Sequence, residues 1–144
     1  MHQQVEYAGY HISDDPSRID RAAVKEFLAR SYWASDRPQA IIERSLKNSL
    51  CIGVYTKEGQ QVGLARVISD YATFAYLCDV YVLEAHRGRG LAKAMMHFID
   101  AHPNLQNLRR FQLVTQDAHG LYGQFGFKAL NNVDRHMERR HPAQ

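Results

Sequence analysis

The run Thr73–Leu83, TFAYLCDVYVL, is long and almost wholly apolar, and it predicts a central strand. Asp79 alone interrupts it. An unpaired buried carboxylate costs several kcal/mol, so this residue has a partner, faces a cleft or sits at a bulge. Directly behind the strand comes Glu84-Ala85-His86-Arg87-Gly88-Arg89-Gly90, after which Leu91, Ala94, Met95, Phe98 and Ile99 recur at helical spacing as far as His102-Pro103. A strand, a Gly-rich basic turn and an amphipathic helix therefore follow one another in the middle of the chain.

The flanking segments fill in a mixed architecture. Val5–Ile12 reads as a strand closed by the turn Ser13-Asp14-Asp15-Pro16. Ser17-Arg18-Ile19-Asp20 has the spacing of a helix cap, and Ile19, Ala23, Val24, Phe27 and Leu28 then share one helical face. Pro38 suits the first turn of a second helix with Ile41, Ile42, Ser45 and Leu46 inward. The loop Ser31–Ser35 between them holds the only tryptophan, Trp33, read either as a lid on the core edge or as a wall for a substrate. LCIGVY and QVGLARVI around Lys57-Glu58-Gly59-Gln60 predict a hairpin. RRFQLVTQ reads as a further strand, AHGLYGQF as a short helix ending at Gly126, and FKAL and the segment around Met137 as final strands. The fold class expected is α+β: a mixed, mostly antiparallel, six- to seven-stranded sheet flanked by about four helices.

A length of 144 residues is enough for one good core and too short for two, so residues 1–144 are expected to form a single domain. Apolar residues at 45% and charged residues at 23% exclude disordered or fibrous classes. No apolar run approaches the ~20 residues of a membrane span, and MHQQVEYAGY lacks the pattern of a signal peptide, so the expectation is a soluble cytoplasmic protein without a membrane partner. Cys51 and Cys78 both lie in strand-like runs and are expected to be buried thiols. His97 and His102 are five apart, as are His136 and His141, which matches no metal-binding spacing, so no metal is expected. Eighteen basic against fifteen acidic residues give a net charge of +3, too weak and too scattered to require nucleic acid.

The basic turn carries the chemistry. The first N–H groups of a helix lack intrahelical partners and the helix dipole is positive there, so a Gly-rich turn that opens a helix forms an anion cradle. Gly88 and Gly90 let the backbone approach a phosphate, and Arg87, Arg89 and Lys93 add positive charge. A nucleotide P-loop is excluded because Leu91-Ala92 stands where Lys-Ser/Thr is required. A dinucleotide fingerprint is disfavoured because Lys93 occupies its third glycine position.

Arg87-Gly88-Arg89-Gly90-Leu91-Ala92 matches the R/Q-x-x-G-x-G/A signature of the GNAT acyltransferases, and Ala118, Leu121-Tyr122 and Gly126-Phe127 match that family's A-x-x-L/F-Y-x-x-x-G-F block. Both blocks lie on the appropriate elements, and in its order of elements the whole chain resembles this family. The resemblance implies the GNAT fold and acetyl-CoA as donor. It implies that amides from Arg87 to Ala92, with Gly88, Arg89, Gly90 and Leu91 between them and Lys93 beside them, hold the pyrophosphate, and that the pantetheine arm runs along Val80, Tyr81 and Val82 with a backbone N–H near Val82 polarising the thioester.

By the same resemblance Tyr122 stands at the general-acid position and also contacts the donor, although packing of its own helix is a competing reading. Asp79 is the candidate base, or else a structural anchor; the segment Tyr76–Asp79 is similar to the spermidine acetyltransferase branch, which has Glu where Cys78 stands. His119 is a second candidate base, or an exposed helical histidine. Tyr32, Trp33, Arg37 and Asp70 are loop residues expected to line the acceptor pocket. The activity implied is N-acetylation of a primary amine on a small molecule or peptide by direct attack in a ternary complex, with a homodimer as an open possibility. The alternative is a non-catalytic acyl-CoA-binding module of the same fold.

Overall fold

The computed structural model describes residues 1–141. The chain opens with a hairpin of β1 (Gln4–Tyr7) and β2 (Tyr10–Ser13). Ala8 and Gly9 both have positive φ, 50° and 87°, the two-residue turn whose twist suits a hairpin. Where the sequence predicts one strand there are two, because Ala8 replaces the Asn or Gly that usually marks such a turn. A single 3₁₀ turn, Pro16–Arg18, is capped by Asp15. Helix α1 (Arg21–Ala29) then starts at Asp20, whose carboxylate accepts from Ala23 N–H at 3.0 Å. Asp20, and not Ser17, is therefore the cap. Helix α2 (Gln39–Lys47) has Pro38 at its N-cap and buries Ile42 and Leu46.

Strands β3 (Leu50–Tyr55), β4 (Gln61–Ser69) and β5 (Phe74–Val82) form an antiparallel meander. Helix α3 (Leu91–Ala101) crosses over to β6 (Arg110–Leu113), which lies parallel to β5, and α4 (His119–Gly123) follows. The sheet order is β1-β2-β3-β4-β5-β6. The final strands expected at FKAL and Met137 are absent among the described residues: Lys128, Ala129, Leu130 and Met137 are exposed and pair with no strand. Only Phe127 of these segments packs against the core, which leaves no apolar face for a strand to bury.

Two apolar layers sandwich the sheet. Ile52, Val54, Ala65, Val67, Ala75 and Leu77 pack against Leu91, Met95, Phe98 and Ile99 of α3. On the other face Cys51, Leu64 and Tyr81 pack against Val24 and Leu28 of α1 and Ile42 and Leu46 of α2. In β5 the odd residues Ala75 and Leu77 face α3, yet Tyr81 faces α1 and α2. A bulge causes the inversion. Leu64 pairs with Tyr81 and Arg66 with Cys78, which leaves Ala65 opposite both Asp79 and Val80.

Tyr55 is 1% exposed, and its hydroxyl is the sole buried side-chain polar atom without a hydrogen bond among the described residues. Burial pushes its phenol up to about 12. An unsatisfied buried hydroxyl costs about 1–3 kcal/mol. Tyr55→Phe should therefore leave stability unchanged or raise it by about 1 kcal/mol in denaturant melts; a clear loss would mean that the hydroxyl has a partner.

Candidate active site

Parallel pairing of β5 with β6 covers only Phe74–Leu77, because β6 ends at Leu113 while β5 continues to Val82. Beyond Leu77 this edge of β5 has no strand beside it among the described residues. The wedge so opened is a cleft of about 1070 Å³ that runs from Trp33 and Arg37, past Cys78–Val82, to the turn at Gly88–Lys93, with Leu113–Ala118 and Tyr122 forming the opposite wall.

At the end of the cleft next to α3, Gly90 caps the helix with φ of 77°, and Gly88 has φ of 78°. No side chain caps the helix, and its first backbone bond runs from Ala94 N–H to Gly90 O at 2.9 Å. The N–H groups ahead of Ala94 are thus left for an anion. The positive φ demands glycine at position 90, and a Cβ there would come within 2.6 Å of the Tyr7 hydroxyl and displace that side chain.

The turn is held from below by the N-terminal hairpin. Tyr7 donates to Arg89 O at 3.2 Å, and Arg89 Nη1 donates to the Tyr10 hydroxyl at 2.8 Å. The Tyr10 hydroxyl in turn meets His86 Nδ1 at 2.7 Å. The side chain of Arg89 is therefore a brace and lies outside the cleft lining, contrary to the phosphate contact expected of it. The Arg87 amide is also taken, by Glu84 O at 3.2 Å, and its Nε donates to Val82 O at 2.9 Å. The cradle of free amides consequently begins at Gly88, with Arg87 and Lys93 as the basic residues of the turn on the lining.

Tyr122 is largely buried on the cleft wall, but its hydroxyl oxygen stays accessible and makes no hydrogen bond among the described residues. Burial, assisted by nearby Asp117, raises its phenol above the ordinary value of 10. His119, by contrast, is exposed at the start of α4 and does not line the cleft. Asp70 is likewise outside it. Its carboxylate holds the β4–β5 turn by accepting from the N–H groups of Ala72, Thr73 and Phe74 and from the Thr73 hydroxyl, which keeps it well below the usual carboxylate range.

The other end of the cleft is organised around Asp79, which has φ of 50° at the bulge. Its Oδ2 accepts from Arg66 Nε at 2.8 Å and Arg37 Nη1 at 2.9 Å, and its Oδ1 from Trp33 Nε1 at 2.8 Å. Burial would raise its pKa, but the two guanidiniums outweigh that and hold it below the ordinary carboxylate value. Asp79 is thus a strongly ionised anchor, and the geometry argues against the general base expected of it. Tyr32 and Trp33 stand on the lining, edge to face at 5.2 Å. Burial pushes the Cys78 thiol up to about 11. Reading the sequence missed Arg66, Tyr10 and the lining residue Tyr76. The signal for Arg66 was present: it is the single charge in the run Gln61–Ile68, a mirror of Asp79 in the neighbouring strand. No cluster of three or more His, Cys, Asp or Glu side chains suited to a metal occurs among the described residues.

Because removing one member of a buried ion pair strands the other charge, Asp79→Ala should lower stability at neutral pH by about 3–5 kcal/mol. The carboxyl is more acidic folded than unfolded, so its contribution is present above the unfolded value of 3.8 and is lost as pH falls through the lower folded value. Denaturant melts between about pH 7 and about pH 3 should show the gap between wild type and Asp79→Ala narrowing towards acid; a constant gap would contradict the depressed pKa.

Residues 48–129 match the model of the acetyltransferase (GNAT) domain. A curated acetyltransferase candidate of Gibberella zeae is 33% identical, over 87% of this chain and 82% of its own. The crystal structure of an acetyltransferase candidate of the GNAT family from Xanthomonas campestris pv. campestris is 48% identical and superimposes with a TM-score of 0.91, covering 96% of this chain and 97% of that one. An acetyltransferase candidate of Clostridium acetobutylicum, solved with acetyl-CoA, shares the fold at 17% identity and a TM-score of 0.60, over 95% of this chain and 100% of that one. With its sheet order, its splayed β5 edge and its glycine-started α3, the chain is a member of the GNAT acetyltransferase family.

Proposed function

We propose that this acetyltransferase moves an acetyl group from acetyl-CoA to a primary amine by direct attack in a ternary complex. The observation that carries the reading is the continuity of the cleft, in which an open strand edge leads straight to a helix start able to bind phosphate. The pyrophosphate binds the amides from Gly88 to Lys93. The pantetheine amides extend the sheet along Val80–Val82, in the place that β6 vacates.

The amine attacks the thioester carbonyl, and a backbone N–H near Val82 stabilises the oxyanion, an interaction that can be worth about 2.7–4 kcal/mol. As the tetrahedral adduct collapses, the C–S bond breaks and Tyr122 gives its proton to the leaving thiolate. The burial that raises its pKa favours this role, since the phenol then stays protonated at neutral pH. Asp79 is committed to Arg37, Arg66 and Trp33, and His119 lies off the cleft, so the amine proton leaves to water. The raised pKa of Cys78, the cysteine on the lining, speaks against an acyl-cysteine intermediate. An acceptor on a small molecule or peptide, a cytoplasmic location and a possible homodimer remain part of the proposal.

Gly90→Ala should weaken acetyl-CoA binding in calorimetry by about tenfold or more, through strain at φ of 77° and displacement of Tyr7. Unchanged affinity would remove the phosphate assignment. Tyr122→Phe should cut kcat for CoA release by about a hundredfold while acetyl-CoA affinity holds; in the wild type any alkaline limb due to this group should lie above 10. Full turnover by Tyr122→Phe would end the acid role. Tight acetyl-CoA binding without CoA release to any amine would instead favour the non-catalytic module.

A further inference from the structure

The acceptor end of the cleft holds more positive charge than its own side chains balance. Arg66 and Arg37 have 10% and 16% of their side-chain surface exposed, and both point at one carboxylate, Asp79, which is 3% exposed. Two guanidiniums against one carboxylate leave one positive charge over in a largely desolvated cluster. The other charged residues lining this end, Glu138 and Arg140, are exposed and carry one charge of each sign. Among the described residues the Arg37 guanidinium makes a single hydrogen bond, from Nη1 to Asp79, so most of its planar fork remains available on the cleft wall. Lys25 supports this position by donating to Arg37 O at 2.8 Å.

A guanidinium fork of this kind matches a carboxylate or phosphonate, and a substrate anion would supply the missing counter-charge. Resting on the acetyl-transfer reading above, we infer that the acceptor is an anionic amine, whose carboxylate or phosphonate group binds Arg37 over the Asp79–Arg66 anchor. Asp79 sits one residue before the Val80–Val82 edge, so an anion held at Arg37 places an amine one or two bonds away close to the start of the donor track. The aromatic pair Tyr32 and Trp33 offers an apolar flank to the rest of such a molecule. A polyamine would bring further positive charge to a site already in surplus.

The test uses matched acceptors with the full chain and acetyl-CoA, following CoA release. Proteinogenic amino acids are compared with their decarboxylated amines, for example phenylalanine with phenethylamine and tryptophan with tryptamine. Aminoalkylphosphonates and spermidine complete the panel, and the phosphonate arm distinguishes the two anions. The anionic amine should exceed its uncharged-tail partner in kcat/KM by about tenfold or more. Arg37→Gln leaves Asp79 paired with Arg66 and Trp33, so it should fold; it should abolish the preference, chiefly through KM, without altering acetyl-CoA affinity. Arg37→Lys, which keeps the charge and loses the fork, should retain part of it.

Equal or better turnover of the decarboxylated amines or of spermidine would overturn the inference. So would a preference that survives Arg37→Gln, or no turnover of any anionic amine by protein that still binds acetyl-CoA. Failure of the wild type to bind acetyl-CoA would overturn the donor reading itself, and this inference with it. Should Arg37→Gln fail to fold, the matched pairs on the wild type still decide.

Discussion

The ion cluster of Asp79 with Arg66, Arg37 and Trp33 is the constraint on which the architecture of the site depends. A carboxylate in the middle of an apolar strand is tolerable because three donors satisfy it. Those donors come from different parts of the chain: Arg66 from the adjacent strand, Arg37 and Trp33 from the loop between the first two helices. One buried charge therefore ties that loop to the sheet. The bulge at the same position turns Asp79 towards the face covered by α1 and α2 and reverses the alternation of β5, so that Tyr81 packs at a ring distance of 3.9 Å on Phe27 of α1. A residue with the look of a catalytic base is thus the fixed point around which one end of the cleft is built.

At the other end of the cleft the same economy applies to the glycine turn before α3. Its glycines supply the backbone conformation, but its position is fixed by contacts from residues about eighty places earlier, through Tyr7, Tyr10 and Arg89. The N-terminal hairpin is a support for the glycine turn as well as an edge of the sheet. His102 gives the far end of α3 a comparable tie, with Nε2 at 2.6 Å from Asp14 Oδ2 and Nδ1 accepting from Asn104 N–H. Helix α3, whose start opens on the cleft, is held at both ends by the N-terminal segment.

Much of the fold was legible because its signals are local. The apolar meander, the amphipathic α3 and the glycine turn are each written in contiguous residues with the period of their element. The features misread were those without such a signature: the Ala8-Gly9 turn lacks the usual residue pair, and of the strand-like segments near the C-terminus only Phe127 meets the core. Among the site residues, Gly90 and Tyr122 could be named because their chemistry follows from residue type within a local motif. Asp70 and His119 carried the right functional groups, and only their placement excludes them from the cleft.

By itself the sequence determined that a strand, an anion-binding turn and a helix succeed one another, and that a protonated phenol follows downstream; these follow from backbone conformation, periodicity and residue chemistry over short spans. Only the tertiary structure decided what the charges do. Whether Arg89 touches a ligand or a tyrosine, and whether Asp79 accepts a substrate proton or anchors two arginines, depends on which distant groups come within hydrogen-bond reach. Charge–charge energy varies with distance and burial, and both are set by packing between segments that lie far apart along the chain.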